Sequence, residues 1–233
     1  MQSSNDLQSS LSTSAGEVAL EEYHLRLAAH DWAILHTGAL LSQADESRFL
    51  GEQKDRMPYG VVLWPSSIAL AHDLISRADA LRGTRVLELG AGTGLPGIVA
   101  ASLGAHVVQT DRHELAMSVC KRNGERNGVR TIEHRIADWT RWDDSRRYDW
   151  IIGSDIAYAE RMHEHLRRIF DANLTPAGRV LMADPFRAHG FRLLEEMANG
   201  GWSVTLSKWS VGDEAEPRSV GVFELAPPAG TIG

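Results

Sequence analysis

The sequence predicts an α/β protein built on a mostly parallel sheet with helices on both faces. Three observations lead there. From Arg85 onward, short apolar runs alternate with longer amphipathic stretches, the pattern of parallel strands joined by helical crossovers. One run, Val86-Leu87-Glu88-Leu89, passes directly into the turn Gly90-Ala91-Gly92-Thr93-Gly94 and then into Leu95-Pro96-Gly97-Ile98. Three later runs each finish beside an aspartate: Asp111, Asp138 and Asp155.

Taken in order, residues 1–16 are polar and serine-rich, without the apolar segment of a signal peptide, and read as a disordered tail. Residues 17–60 form an N-terminal extension. Within it, 21–34 mixes apolar and charged residues and reads as a helix running into a strand, and 42–54 as a charged loop or short helix. The main domain spans 61–226. Its first helix, 68–80, carries Ile68, Leu70, Ala71, Leu74 and Ile75 near helical spacing. Strands follow at 86–89, 105–111, 131–136, 148–155 and 178–184, with helices at 95–103, 113–127, 161–172 and 191–200. Pro96 suits a first helical turn, where its missing N–H costs nothing. Residues 202–209 and 219–225 alternate apolar and polar side chains and read as a closing antiparallel hairpin, making seven strands. The tail from Ala226 is rich in proline and glycine.

Composition narrows the function. At 233 residues and 43% hydrophobic, the chain is long enough for one well-filled core. No apolar run approaches the roughly 18 residues of a membrane span. A net charge of −7 argues against a nucleic-acid partner. The single Cys120 cannot form an internal disulfide, which suits a reducing, cytoplasmic setting. The ten histidines show no metal-ligand spacing, so no metal is expected; His163 and His165 stand two apart on a predicted helix and face apart. Neither a G-x-S-x-G elbow nor a Walker A sequence is present.

The glycine turn reads as a nucleotide-cofactor turn at the carboxyl end of a parallel strand. Its spacing is G-x-G-x-G, and Leu95 stands where a dinucleotide fingerprint needs its third glycine. Glu88, two residues before the first glycine, would repel a pyrophosphate and favours a cationic ligand. Asp111 follows Gly90 at the distance of an acid that takes ribose hydroxyls.

This pattern resembles motif I of class I S-adenosylmethionine (SAM) methyltransferases. More narrowly, residues 55–225 resemble the methyltransferase family 16 group of lysine methyltransferase-like proteins. The resemblance rests on Leu63-Trp64-Pro65-Ser66-Ser67, on 86–98, and on Ser154-Asp155-Ile156-Ala157-Tyr158, which matches that group's D-x-x-Y signature. Asp184-Pro185-Phe186-Arg187 is similar to a D-P-x-R stretch of bacterial relatives, including those that methylate the electron-transfer flavoprotein β subunit. This chain has Phe186 where that group favours glycine, which argues against that particular substrate.

The resemblance implies a Rossmann-like class I methyltransferase fold and SAM as cofactor, with S-adenosylhomocysteine (SAH) as product. It implies Trp64 over the methionine end, and Glu88 with Gly90, Ala91, Gly92, Thr93 and Gly94 around the amino-acid part and sugar edge. Asp111 would bind the ribose, with Arg112 beside it, and Asp138 with Trp139 the adenine. Ser154 joins these cofactor positions, while Asp155 and Tyr158 stand at the mouth where the methyl group is delivered. The implied partner is a protein presenting a lysine. A small-molecule N- or O-methyltransferase, nicotinamide-type among them, is the alternative, as is a SAM-binding protein without turnover. Nucleic-acid methylases would show Asn/Asp-Pro-Pro-Tyr where this chain has Asp155-Ile156-Ala157-Tyr158. Arg187 reads as a solvated surface arginine.

Overall fold

A computed structural model describes residues 9–13, 16–39, 59–212 and 217–228. The segment 42–54, read above as a loop or short helix, lies outside the described residues, as do residues 1–8.

The chain begins with a small antiparallel sheet in the order β1 (Ser9–Thr13), β2 (Gly16–Leu27), β3 (His30–His36). Two sequence readings are corrected here. Ser9–Thr13 is a strand within the expected disordered tail, and 21–34 is a hairpin rather than a helix entering a strand. The period-2 signal is blurred because the long β2 buries opposite faces at its two ends. Leu20 packs with Leu11, Leu35 and Val61, whereas Leu27, flanked by Tyr23 and Leu25, packs on the main core with Trp32 and Ile34. The hairpin turn is Ala28-Ala29, with Ala28 at φ +54°, so no glycine or asparagine announces it.

The main sheet holds β4 (Arg85–Leu89), β5 (His106–Asp111), β6 (Glu133–Ile136), β7 (Tyr148–Ser154), β8 (Leu174–Asp184), β9 (Ser203–Val211) and β10 (Arg218–Ala226). Their spatial order is β6-β5-β4-β7-β8-β10-β9. The first five are parallel, and β10 runs antiparallel to both of its neighbours. Chain order reverses between β4 and β7, the switch point at which open α/β sheets bind ligands.

Among the described residues, five helices of two turns or more cover this sheet: α1 (Pro65–Ser76), α2 (Leu95–Ser102), α3 (Glu114–Arg126), α4 (His163–Asn173) and α5 (Ala188–Asn199). The helix expected over 68–80 starts earlier, with Pro65 in its first turn, and ends at Ser76 before a separate helical turn, Ala78–Leu81. Strand alternation splits the core in two. Val86, Val107, Ile152, Leu181 and Val222 face one layer with α1 and α2, while Leu87, Val108, Ile151, Val180 and Phe223 face the other with α4 and α5.

A buried polar knot ties the far end of β7 to its surroundings. Asp144 accepts from Arg135 of β6 at 2.7 Å, from the Tyr148 hydroxyl at 2.7 Å and from Arg146 Nε at 3.0 Å. Its carbonyl accepts from Asn173 at the end of α4 at 2.7 Å. Burial alone would raise the Asp144 carboxyl, but hydrogen bonds from Arg146 and Tyr148 outweigh it and hold the group at about 2. A depressed acid stabilises the fold above its ordinary value of 3.8 and loses that contribution as pH falls toward 2. Asp144→Ala strands these partners and is expected to cost about 3 kcal/mol, read by urea denaturation at pH 7. The wild type should lose most of this margin over wild-type-minus-variant curves taken down to pH 2; a pH-independent gap would count against the knot.

Candidate active site

The turn after β4 bends through three left-handed glycines, Gly90, Gly92 and Gly94, at φ +63°, +57° and +80°. Crowding is tightest at Gly92, where a Cβ would lie 2.8 Å from the Gly60 carbonyl oxygen. The turn is pinned to the neighbouring strand. Ala91 N–H donates to the Thr110 carbonyl at 3.0 Å, and Gly92 N–H donates to Asp111 Oδ2 at 3.2 Å. The other Asp111 oxygen accepts from His113 N–H at 3.0 Å.

Glu88 departs from the sequence reading. Its carboxyl does not face the cavity; it is 1% exposed and sits between β4 and α2. There it accepts from Gln109 Nε2 at 2.7 Å and from Gly97 N–H in the first turn of α2. A Cβ at Gly97 would run into the same carboxyl group. Burial drives the group up to about 8, so it is largely protonated at neutral pH and supplies little charge for a cationic ligand. Gly94 also stands apart from the cavity, because as N-cap of α2 it packs against Cys120 and Gln109. Both residues shape the turn from behind.

The remaining expected residues converge on one cavity of about 880 Å³ at the carboxyl ends of the parallel strands. Gly90, Ala91, Gly92 and Thr93 form its floor, and Asp111 and Arg112 stand at the tip of β5. Asp138 and Trp139 follow β6, Ser154 ends β7, and Asp155 and Tyr158 come just after it. Trp64, the N-cap residue of α1, closes one side. The Trp139 ring packs where a Gly90 side chain would begin, 3.4 Å from that Cβ position. Asp138 is exposed and accepts from Thr140 N–H at 2.9 Å, the bond that chiefly lowers its carboxyl from the ordinary value.

At the mouth, Asp155 adopts φ +54°, an unusual conformation for a residue with a side chain, with its N–H bound to the Ala183 carbonyl at 2.9 Å. One carboxylate oxygen pairs with Arg187; the other is buried without a hydrogen-bond partner. Arg187 is therefore not the solvated arginine expected from sequence. It lines the cavity, pairs with Asp155, and lies over the Trp64 ring at 5.6 Å. Tyr158 is 52% exposed at the rim. Gly60, Val62 and Met162 are lining residues that sequence reasoning missed. Only the position of 60–62 just before Trp64 hinted at two of them.

Phe186 explains a departure noted above. Its φ is +65°, so the backbone there suits glycine, and a phenylalanine strains it by about 1–2 kcal/mol. The ring offsets this by stacking on Phe191 at 6.0 Å and edge-on to Phe223 at 6.1 Å.

A lysine methyltransferase family model matches residues 43–191. The chain belongs to that family. Protein N-lysine methyltransferase METTL21A of Xenopus tropicalis is 40% identical over 114 residues, covering 47% of this chain and 53% of that protein. Its Mus musculus counterpart is 34% identical over 150 residues, covering 61% and 63%. Histone-arginine methyltransferase METTL23 of Xenopus laevis is 32% identical over 161 residues, covering 66% and 65%. The chain thus spans from 53% to 65% of the length of these relatives.

Among solved structures, the Thermus thermophilus 16S rRNA N2 G1207 methyltransferase RsmC, in complex with AdoMet and guanosine, is similar with a TM-score of 0.58. It is 18% identical, over 90% of this chain and 50% of that one. Ribosomal protein L11 methylase of Lactobacillus delbrueckii subsp. bulgaricus is similar with a TM-score of 0.55 and 21% identity, over 75% and 90%. Both have the Rossmann-like class I methyltransferase fold found here.

The state of Glu88 gives a pH test. An acid raised in the fold contributes most below its ordinary value of 4.5 and loses that contribution as pH climbs to about 8. Glu88→Gln keeps an oxygen acceptor and removes the titration. Its melting temperature should fall less than that of the wild type between about pH 5 and 8, by differential scanning fluorimetry. Parallel curves would mean that Glu88 does not ionise in this window.

Proposed function

We propose that this chain transfers the methyl group of SAM to a side-chain nitrogen of a lysine in a protein. The observation that carries the reading is the two-ended cavity. One end is the crowded glycine turn, and the other opens to solvent beside Asp155, Arg187 and the exposed Tyr158. An acceptor on a long flexible side chain suits an open rim better than an enclosed pocket would.

The residues present fit SAM. Asp111 is a carboxylate at a strand tip for ribose hydroxyls, Trp139 is an aromatic wall for adenine, and the glycines leave room for close approach. The unpartnered oxygen of Asp155 is a buried acceptor at the mouth, available to a donor from either ligand. SAM would supply a methyl group already activated by its sulfonium, so positioning and exclusion of water dominate the chain's task.

The acceptor nitrogen must be neutral to offer its lone pair, whereas a free lysine titrates near about 10.4. Arg187 beside the mouth opposes a second cation, and its pairing with Asp155 offsets the attraction that a lone carboxylate would exert on an ammonium. Asp155 orients the amine through its second oxygen, and the displaced proton leaves to water at the open rim.

The relatives named for lysine methylation support a lysine acceptor, and METTL23 supports a protein arginine as the second reading. A reducing, cytoplasmic setting is part of this proposal, supported by the free, buried Cys120.

The test incubates the full chain with radiolabelled SAM and a lysate of the source organism lacking this gene. Label in a protein band, released as methyl-lysine on hydrolysis, is the expected result. Methyl-arginine would shift the acceptor to arginine, and label confined to small molecules would overturn the protein substrate. Asp155→Asn is expected to slow transfer by about tenfold or more while SAH still binds. Asp111→Ala should weaken SAH binding by about tenfold or more in calorimetry, and unchanged affinity would remove Asp111 from the ribose site.

A further inference from the structure

The N-terminal sheet packs behind the glycine turn, and one fully buried side chain touches both. Asn123 of α3 is 0% exposed. Its Oδ1 accepts from Leu35 N–H of β3 at 2.8 Å, and its Nδ2 donates to the Leu35 carbonyl at 3.0 Å. The same Nδ2 donates to the Thr93 carbonyl, in the floor of the cavity, at 2.9 Å. One amide therefore spends both donors and an acceptor on joining β3 to the turn.

One helical turn further on, Asn127 repeats the grip on β3 without reaching the turn. It accepts from Ala33 N–H at 3.0 Å and donates to the Ala33 carbonyl at 2.9 Å. Its remaining bond is to the Asn123 carbonyl at 2.7 Å.

A second connection leaves the end of β3. Thr37 N–H donates to the Val61 carbonyl at 3.0 Å, Leu63 N–H donates to the Gly38 carbonyl at 2.8 Å, and Ala39 bridges to Leu63. The segment so clamped carries Gly60, Val62 and Trp64, all cavity residues, and the Gly60 carbonyl is the group that crowds Gly92. Val61 itself shares an apolar cluster with Leu11, Leu20 and Leu35 of the small sheet and Val119 of α3. Floor and side wall of the cavity thus both meet β3, by separate routes.

We propose that the N-terminal sheet is a working part of the cofactor cavity, with Asn123 as the positioning residue, so that docking of this sheet and binding of SAM stabilise one another. The inference rests on reading the cavity as a SAM site. Asn123 acts through the Thr93 carbonyl. Without it, that carbonyl and both backbone groups of Leu35 are left buried and unsatisfied, so turn and strand each loosen. Coupling of binding free energies is reciprocal: whatever sheet docking adds to SAM affinity, SAM adds to sheet docking.

The test uses the full chain and SAH. Asn123→Leu is expected to raise the calorimetric Kd for SAH by about tenfold, within the range of coupled sites. Asn127→Leu loses bonds of the same kind to β3 but none to the turn, and should raise it by no more than about threefold. In the wild type, saturating SAH should slow amide exchange at Ala33, Leu35 and Leu63 as well as in the turn. An Asn123→Leu Kd equal to that of the wild type would overturn the proposal. So would unchanged exchange at Ala33 and Leu35 when Ala91 and Gly94 slow, and this second measurement decides the matter if the variant does not fold. A wild type that binds no SAH would instead overturn the cofactor reading of the cavity, and this inference with it.

Discussion

A buried carboxyl joins the end of β4 to the first turn of α2, and the site depends on that join. Glu88 accepts from Gln109 on the next strand and from Gly97 in the helix, so the loop between β4 and α2 has fixed ends. A short chain with fixed ends must turn sharply, and here it does so through three left-handed glycines, which adopt that geometry without strain. The exposed backbone of that turn then becomes the cavity floor. Asp111 adds the sideways constraint by holding Gly92 and His113 through its two oxygens. The turn at that end of the cavity is accordingly bonded both to the neighbouring strand and to the helix that follows it.

The mouth follows a different physical rule. Asp155 and Phe186 both sit in left-handed backbone geometry at the tips of adjacent parallel strands, β7 and β8, and neither is a glycine. Strain of this kind persists where surroundings over-determine it. Here Arg187 pairs with Asp155 from just beyond Phe186, while the Phe191 and Phe223 rings hold Phe186 from the opposite side. The floor is thus fixed by glycine and backbone bonds, and the mouth by side-chain contacts that can differ between relatives.

Much of this architecture is legible in the sequence, because the main sheet obeys simple periodicities. β4, β5, β8 and β10 set successive apolar side chains on opposite core layers, and β4, β5, β7 and β8 run into glycine, aspartate or serine at their tips. Most cavity residues are legible for the same reason, since strand tips can be counted along the chain. The small sheet is not, because β2 changes its buried face midway and turns through two alanines. Glu88 misleads by charge. Its position in β4 gives it the parity of Val86, which points into the layer beneath α2 rather than toward a ligand. Arg187 is invisible to local reasoning because its partners are Asp155, 32 residues earlier, and the still more distant Trp64.

The paired asparagines have one more consequence, for self-association. β3 is an edge strand of the three-stranded sheet, and an edge strand offers unpaired N–H and C=O groups to any other extended chain. At Ala33 and Leu35 those outward groups are already bonded to the side chains of Asn127 and Asn123. Two amides spaced four residues apart, one on α3 and one at its C-cap, occupy the place of a neighbouring strand. The sheet is thereby closed to further strand addition along this edge, and the hairpin remains committed to its own molecule.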